Sequence, residues 1–164
     1  MLRRLLTTIV CVIAWAGGTT GVVADDRILL TVVNERINGG NGEITFTEAE
    51  LEALEWRVIR TKTEFTDGEN EFAGPRIAAI LDLIGRAGAT TVEMVAANDY
   101  AVEIAIEEIL QYDAIAAMEM DGQRLSLRDK GPLWVMYPLD DFGELRDPAY
   151  NSRLIWQLTT MVLK

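Results

Sequence analysis

The stretch "MDGQRLSLRDKGPLWVMYP", residues 120–138, contains the two local signals that decide the fold class. Asp121-Gly122 is a strong short-range signal for a two-residue hairpin turn, because both residues tolerate a positive φ. Residues 133–137 form a short apolar run after a Gly-Pro step, which is typical of a buried strand. The sequence therefore predicts a β-hairpin and a buried strand, with Arg128, Asp129 and Lys130 between them.

The segments on either side alternate between strand and short helix. Thr47 and Glu50 form a capping box that predicts a helix to about residue 54. Gly74-Pro75 predicts the start of a second helix, whose apolar residues recur at helical spacing, and residues 106–110 predict a third. Further strands are predicted at 28–33, 44–46, 56–65, 91–97, 100–104, 114–120 and 154–163.

These elements predict one α+β domain with mixed and antiparallel sheets and two or three short helices. The polar connection at 139–152 is long for so compact a domain, and loops of that length are often functional. The intervening segments show no repeat and no low-complexity linker.

The first 24 residues have the three regions of a secretory signal peptide. Arg3 and Arg4 are basic, residues 5–15 are mostly apolar, and Val22 and Ala24 are small residues before a cleavage site. We therefore predict a signal peptide at 1–24, a single domain at 25–164 and a periplasmic location. Ordinary export and the twin-arginine route both stay open.

The composition restricts the chemistry. The chain has no histidine, and its one cysteine is Cys11, inside the predicted signal peptide. Histidine- and cysteine-dependent catalysis, disulfides and the usual zinc, copper and haem ligands are therefore not expected in the exported domain. The net charge of −11 argues against binding to nucleic acid or to an anionic membrane surface, because phosphates would be repelled.

Four motifs in this order resemble the molybdopterin-binding domain of the sulfite-oxidase-like superfamily. They are Phe72-Ala73-Gly74-Pro75 before "RIAAILDLIGRAG", Asn98-Asp99-Tyr100, the stretch at 120–138, and "RLIWQL" at 153–158. The resemblance covers roughly residues 28–163. It implies a single domain of this fold with a pocket for a pterin.

The departures from the family pattern concern the metal. The molybdenum enzymes hold the metal through a cysteine on the strand that looks equivalent to 57–65, where this chain has Thr61, Lys62 and Thr63. Lys130 stands where a histidine is common, and Trp134 stands where an arginine is common. The resemblance is closest to small exported members, some of which are pterin-binding response proteins that act on a membrane-anchored cyclic-di-GMP enzyme. It thus implies a pterin as cofactor, without molybdenum, and the periplasmic part of an inner-membrane signalling protein as partner.

A pterin needs three kinds of group: an aromatic face for its ring, a carboxylate for its amino edge and a cation for its oxo group. The sequence supplies all three at loop–strand junctions. Trp134, Tyr150 and Trp156 are the stacking candidates, Asp99 beside Tyr100 is the carboxylate candidate, and Arg128, Lys130 and Arg153 are the cations.

Plainer interpretations stay open for these residues. The tryptophans are also consistent with the core, Asp99 with a turn cap, and Asp129-Lys130-Gly131-Pro132 with an ordinary charged turn. Three functions follow: a non-enzymatic pterin sensor acting on a cyclic-di-GMP cyclase or phosphodiesterase, a molybdopterin-dependent oxidoreductase or its accessory subunit, and an interaction module with a vestigial pocket.

Overall fold

The computed structural model describes residues 27–36 and 42–164. The predicted signal peptide and its cleavage site lie outside these residues. The described strands are β1 (Ile28–Asn34), β2 (Gly42–Thr47), β3 (Trp56–Lys62), β4 (Glu69–Pro75), β5 (Thr91–Ala96), β6 (Ala101–Ala105), β7 (Ile115–Ala117), β8 (Glu119–Met120), β9 (Gln123–Arg124), β10 (Trp134–Met136) and β11 (Leu158–Leu163). The helices are α1 (Glu48–Glu52), α2 (Ile77–Ile84), α3 (Ile106–Tyr112), a first 3₁₀ helix (Gly143–Arg146) and a second 3₁₀ helix (Pro148–Arg153).

The strands form three sheets. One has the order β2-β1-β11-β5-β6, in which β1 and β11 are parallel and the other neighbours are antiparallel. The second has the antiparallel order β3-β4-β8-β9, and β7 pairs with β10 in the third. The predicted α+β class with mixed and antiparallel sheets is confirmed.

Two local motifs form as their sequences predict. The Thr47 hydroxyl accepts the Glu50 N–H at 3.4 Å, and the Glu50 carboxylate accepts the Thr47 N–H at 2.8 Å, which completes the capping box of α1. Asp121 and Gly122 have φ values of 51° and 72° in the turn between β8 and β9. Hydrogen bonds from the Glu71 N–H and the Asn70 side chain to the Asp121 carboxylate lower the pKa of that group.

The predicted start of the second helix is wrong by two residues, and the strand before it was not predicted. Pro75 lies opposite Trp56 at the end of β4, and α2 begins at Ile77. The polar start of β4 at Glu69 reads as a turn in the sequence. β4 pairs with β3 on one side, and its apolar residues pair with β8 on the other. This pairing overrides the local preference for a turn.

The last strand also starts later than predicted. Leu154 ends the second 3₁₀ helix, and Gln157, with φ of 53°, turns the chain before β11 begins at Leu158. Between them the Ile155 carbonyl accepts the Val135 N–H at 2.8 Å. Residues 154–157 are thereby held beside β10, and this places Trp156 at the surface instead of within a sheet.

The core lies under α2 and the large sheet. The apolar face of α2 is buried as its helical spacing predicts: Ile77, Ile80, Leu81 and Ile84. Gly74 allows β4 to approach the two-stranded sheet closely, since a Cβ at this position would stand 2.2 Å from the Ala116 carbonyl oxygen.

We expect Gly74→Ala to lower the free energy of unfolding by about 1–3 kcal/mol or more, because backbone atoms cannot yield to the added methyl group. Gly143→Ala is the control, since no atom lies within 4 Å of its added Cβ. Chemical denaturation measures both variants. Equal stability of the two would contradict the close approach of β4 to Ala116.

Candidate functional site

A cavity of about 310 Å³, here called the aromatic pocket, opens where three segments of the chain meet. One segment follows β3, one is the turn between β5 and β6, and one runs from the second 3₁₀ helix towards β11. The lining residues are Phe65, Ala96, Asn98, Tyr100, Asn151, Ser152, Leu154, Ile155 and Trp156.

Trp156 is the principal surface of the aromatic pocket. Its ring centroid lies 4.9 Å from that of Phe65, edge to face, and 6.4 Å from that of Trp134. Although these rings support it, Trp156 is still 36% exposed. A large indole that is fixed by its neighbours and open to solvent is suited to stack on a flat ligand.

The polar groups of the aromatic pocket are neutral. The Tyr100 hydroxyl donates to the Ser152 carbonyl at 3.3 Å, and the Asn98 side-chain oxygen accepts the Tyr100 N–H at 3.2 Å. The Asn151 carboxamide makes no hydrogen bond with other residues of the described part of the chain, so both its donor and its acceptor are available. None of the nine lining residues carries a charge.

The structure brings Tyr100 and Trp156, two of the residues predicted for the site, into one pocket. Asp99 sits between two lining residues, but it occupies the tip of the turn with φ of 64° and is exposed. Its N–H donates to the Ala96 carbonyl at 3.0 Å, so the backbone of Asp99 closes the turn. Its carboxylate lies outside the lining of the aromatic pocket.

The loop with the charged residues forms a compact turn near Trp156. Asp129 is bonded to Ser126 through both side chains, and Arg128 is exposed. Lys130 has φ of 75°, and its carbonyl accepts the Gln157 N–H at 2.9 Å. The Nζ atom of Lys130 lies 5.4 Å from the centre of the Trp134 ring. Arg128 and Lys130 are not among the residues that line the aromatic pocket.

Trp134, the first residue of β10, lies in the core. Its side chain is fully buried, and its indole N–H donates to the Leu154 carbonyl at 3.1 Å. In this arrangement Trp134 presents no face to a ligand in the aromatic pocket. It acts instead as a support behind Trp156 and as an anchor for residues 154–157.

Tyr150 and Arg153 face α3 instead of the aromatic pocket. The Arg153 guanidinium donates to the Glu108 carboxylate at 2.5 Å, and this ion pair raises the pKa of Arg153. The same guanidinium lies 4.8 Å from the centre of the Tyr150 ring. Tyr112 at the end of α3 donates to Glu144 at 3.1 Å, and its burial, with this bond, raises its pKa to about 12. Both 3₁₀ helices are thus attached to α3.

Phe65, Asn98, Asn151 and Ser152 were not predicted as site residues. Asn and Ser are common in loops, and Phe65 ends a predicted strand, so these residue types give no signal of a site. For Asn151 and Ser152, the length of the 139–152 connection indicates only that the region matters. The Asn98-Asp99-Tyr100 motif contains a signal for Asn98, although the need for a carboxylate favours Asp99 within it. Asn151 has no local signal, since its place depends on how the second 3₁₀ helix packs.

The end of β3 contains the residues that stand where a metal-binding cysteine would be expected. Thr61 is fully buried, and its hydroxyl accepts the Asp140 N–H at 3.1 Å. The Asp140 carboxylate in turn accepts the Lys62 N–H at 2.9 Å. Within residues 27–36 and 42–164 no three histidine, cysteine, aspartate or glutamate side chains are grouped to hold a metal. In the same ranges no helix has the length and apolar character needed to span a membrane.

A family model described as "Oxidoreductase molybdopterin binding domain" matches residues 40–140. The chain belongs to this family. No curated protein sequence matches it significantly. Among solved structures, the sulfane dehydrogenase SoxCD from Paracoccus pantotrophus superposes with a TM-score of 0.61 at 12% identity. The match covers 82% of this chain and 37% of that chain, so it shows a shared fold over about a third of the larger protein.

The family and the fold confirm the predicted sulfite-oxidase-like molybdopterin-binding domain. The residues of this member suit the ring of such a cofactor better than its metal. The aromatic pocket offers an indole and amide groups, whereas the Thr61 hydroxyl at the end of β3 already bonds to the backbone of Asp140. The prediction that molybdenum is unlikely is not supported by the family match or by the shared fold.

We expect Glu108→Gln to lower the free energy of unfolding by about 1 kcal/mol, because Arg153 loses a partly buried anionic partner. Glu107→Gln is the matched control, since Glu107 is the exposed neighbour on the same helix and forms no ion pair with residues 27–36 or 42–164. Urea denaturation at neutral pH compares the two. Identical losses would show that the Arg153–Glu108 pair does not hold the second 3₁₀ helix.

Proposed function

We propose that this molybdopterin-binding domain holds a pterin ring in the aromatic pocket. The observation that carries the proposal is the partly exposed indole of Trp156, supported from two sides by Phe65 and Trp134. Stacking of a flat heterocycle on such a ring contributes about 1–3 kcal/mol. The pocket volume of about 310 Å³ lies at the small end of the range for ligand sites, which suits a two-ring ligand.

The polar groups at the rim complement the edges of a pterin. A carboxamide has one acceptor oxygen and two donor hydrogens, so Asn151 matches the adjacent N–H and oxo group of the ring. Tyr100 and Ser152, joined by their hydrogen bond, close the other side of the pocket. Because the lining carries no charge, the part of the ligand inside it is expected to be neutral.

When bound, a molybdopterin cofactor supplies metal-centred redox chemistry in addition to its ring. This chain's own residues would contribute stacking by Trp156 and hydrogen bonds by Asn151. Thr61 and Lys62 at the end of β3 offer a hydroxyl and an ammonium where a thiolate would be needed as a direct metal ligand. A metal ligand, if one is used, would come from the cofactor, the solvent or a partner protein.

The first role that we propose is that of a molybdopterin-binding part of an oxidoreductase, or of its accessory subunit. The family match supports this role directly, and so does the fold that the chain shares with part of a dehydrogenase. The match covers 37% of that enzyme chain, so its substrates and electron partners are not carried over to this chain.

The second role is that of a periplasmic pterin sensor that regulates an inner-membrane signalling protein, such as a cyclic-di-GMP cyclase or phosphodiesterase. One observation favours this role: the end of β3 has Thr61, whose hydroxyl accepts the Asp140 N–H, and has no cysteine that could bind a metal. The rest of the argument is the resemblance described above. A sensor of this kind works only if the pterin binds two states of the domain with different free energies.

We expect Trp156→Ala to weaken pterin binding by about tenfold or more, because the stacking surface is lost. Leu83→Ala is the control, since Leu83 is an exposed apolar residue of α2 outside the pocket. Isothermal titration with pterin measures both variants, with circular dichroism to establish that they are folded. An unchanged dissociation constant for the folded Trp156 variant would place the pterin elsewhere.

The two roles predict different metal contents. Protein isolated from a cell that makes molybdopterin should carry molybdenum and pterin in equal amounts if the domain serves an oxidoreductase. It should carry pterin with no stoichiometric molybdenum if it serves as a sensor. Elemental analysis, together with mass spectrometry of the released small molecule, distinguishes these outcomes. Protein with neither group after gentle isolation would favour an interaction module with a vestigial pocket.

A further inference from the structure

Two Asp-Gly dipeptides of this chain lie in exposed turns and differ in how the aspartate is held. Asp67-Gly68 is part of the turn at 63–68 between β3 and β4, and Asp121-Gly122 forms the turn between β8 and β9. Gly68 and Gly122 have nearly the same φ, 70° and 72°, and an added Cβ on either would have no atom within 4 Å. The two glycines are therefore a matched pair, and any difference between the sites lies in the aspartates.

An aspartate before glycine can isomerise without any enzyme, because glycine has no side chain to shield its backbone nitrogen. That nitrogen attacks the carbon of the neutral side-chain carboxyl group. A C–N bond forms, the carboxyl C–OH bond breaks, and the hydroxyl leaves as water with the amide proton. Water then opens the resulting succinimide. Opening at the main-chain carbonyl gives isoaspartate, whose backbone runs through the side-chain carbons, and opening at the other carbonyl restores aspartate.

The Asp121 carboxylate is held away from this reaction by β4. One of its oxygens accepts the Glu71 N–H at 2.9 Å, and the other accepts the Asn70 side-chain amide at 2.9 Å. These bonds lower the pKa of Asp121, so the neutral acid that the attack requires is scarce. The Asp121 N–H also donates to the Glu71 carbonyl at 2.8 Å, which fixes the backbone of the turn.

Asp67 has none of these restraints. Its side chain is exposed, and it makes no hydrogen bond or ion pair with residues 27–36 or 42–164. The Gly68 N–H has no backbone acceptor within the same ranges. Both reacting groups are therefore available. Asp67 borders a shallow, open cavity together with Glu64, Phe65 and Thr66, and water reaches the reacting groups there.

The turn that contains Asp67 also forms a wall of the aromatic pocket. Phe65 lines the pocket, and its ring centroid lies 4.9 Å from that of Trp156. The Phe65 N–H donates to the Thr63 hydroxyl at 3.1 Å, and that hydroxyl shares a hydrogen bond with Thr66 at 2.9 Å. An isoaspartate adds one carbon atom to the main chain directly after Thr66. The hydrogen-bonded turn that holds Phe65 against Trp156 is then disturbed.

We propose that Asp67-Gly68 is a site of spontaneous isomerisation in the folded protein, whereas the contacts of Asp121 with β4 protect Asp121-Gly122. The product changes the backbone two residues after Phe65, so it alters the wall of the aromatic pocket. The effect on ligand binding rests on the proposed function, whereas the modification itself does not.

The test follows both sites in one sample. Purified protein is incubated at growth temperature in native buffer and in concentrated guanidinium chloride. Cleavage after glutamate releases residues 65–69 and 120–144 as separate peptides, and electron-transfer fragmentation distinguishes isoaspartate from aspartate in each. In native buffer, isoaspartate should form at Asp67 faster than at Asp121 by about tenfold or more, because a hydrogen bond to a charged group is worth at least that factor. In denaturant the contacts of Asp121 are lost, and the two rates become similar.

Asp67→Glu is the matched control for the effect on the pocket. The substitution keeps the charge, but a glutamate would have to close a larger ring, which forms far more slowly. Fresh and aged samples of both proteins are titrated with pterin. Aged wild-type protein should lose binding sites in proportion to its isoaspartate content at Asp67, whereas aged Asp67→Glu protein should keep them.

The outcomes separate the modification from the proposed function. Equal rates at Asp67 and Asp121 in native buffer, or the absence of isoaspartate from Asp67 there, overturn the proposed site. Isoaspartate at Asp67 with no loss of pterin binding relative to Asp67→Glu overturns its effect on the pocket. If fresh wild-type protein does not bind pterin, the proposed function fails, and the peptide measurements still decide where the chain isomerises.

Discussion

The candidate site depends on two hydrogen bonds that join Asp140 to the end of β3. The Asp140 N–H is bonded to the Thr61 hydroxyl, and its carboxylate is bonded to the Lys62 N–H. Because a strand end and the connection after β10 are joined here, the chain beyond Lys62 is directed towards Trp156. Phe65, three residues after Lys62, and Trp156 line the aromatic pocket together. Asp140 is therefore a structural residue whose position allows Phe65 and Asn151 to meet at one site.

Much of the fold can be predicted from local sequence. Three features form as expected because each depends only on residues that are close in sequence. They are the capping box at Thr47, the turn at Asp121-Gly122 and the apolar face of α2. The strand β4 does not follow this rule. Its first residues are polar, and it exists because β3 pairs along its whole length and β8 pairs at its apolar end. Such pairing joins distant segments, and no local pattern encodes it.

The site could be predicted only in part, for a similar reason. Trp156 and Tyr100 belong to motifs, so they could be named from the sequence. Whether Trp134 or Arg153 is free depends on tertiary partners: the first donates to Leu154 in the core, and the second is paired with Glu108. Asn151 shows the converse case, since an ordinary polar residue of the second 3₁₀ helix lines the aromatic pocket only because of how that helix packs.

The second 3₁₀ helix has a different neighbour on each side. The Ser152 carbonyl accepts a hydrogen bond from the Tyr100 hydroxyl at the rim of the aromatic pocket. The next residue, Arg153, forms an ion pair with Glu108 of α3. A single peptide unit therefore connects the cavity wall to a helix on the outside of the domain. The cavity wall and α3 are therefore held by adjacent residues of one 3₁₀ helix, so the same short segment of backbone serves both.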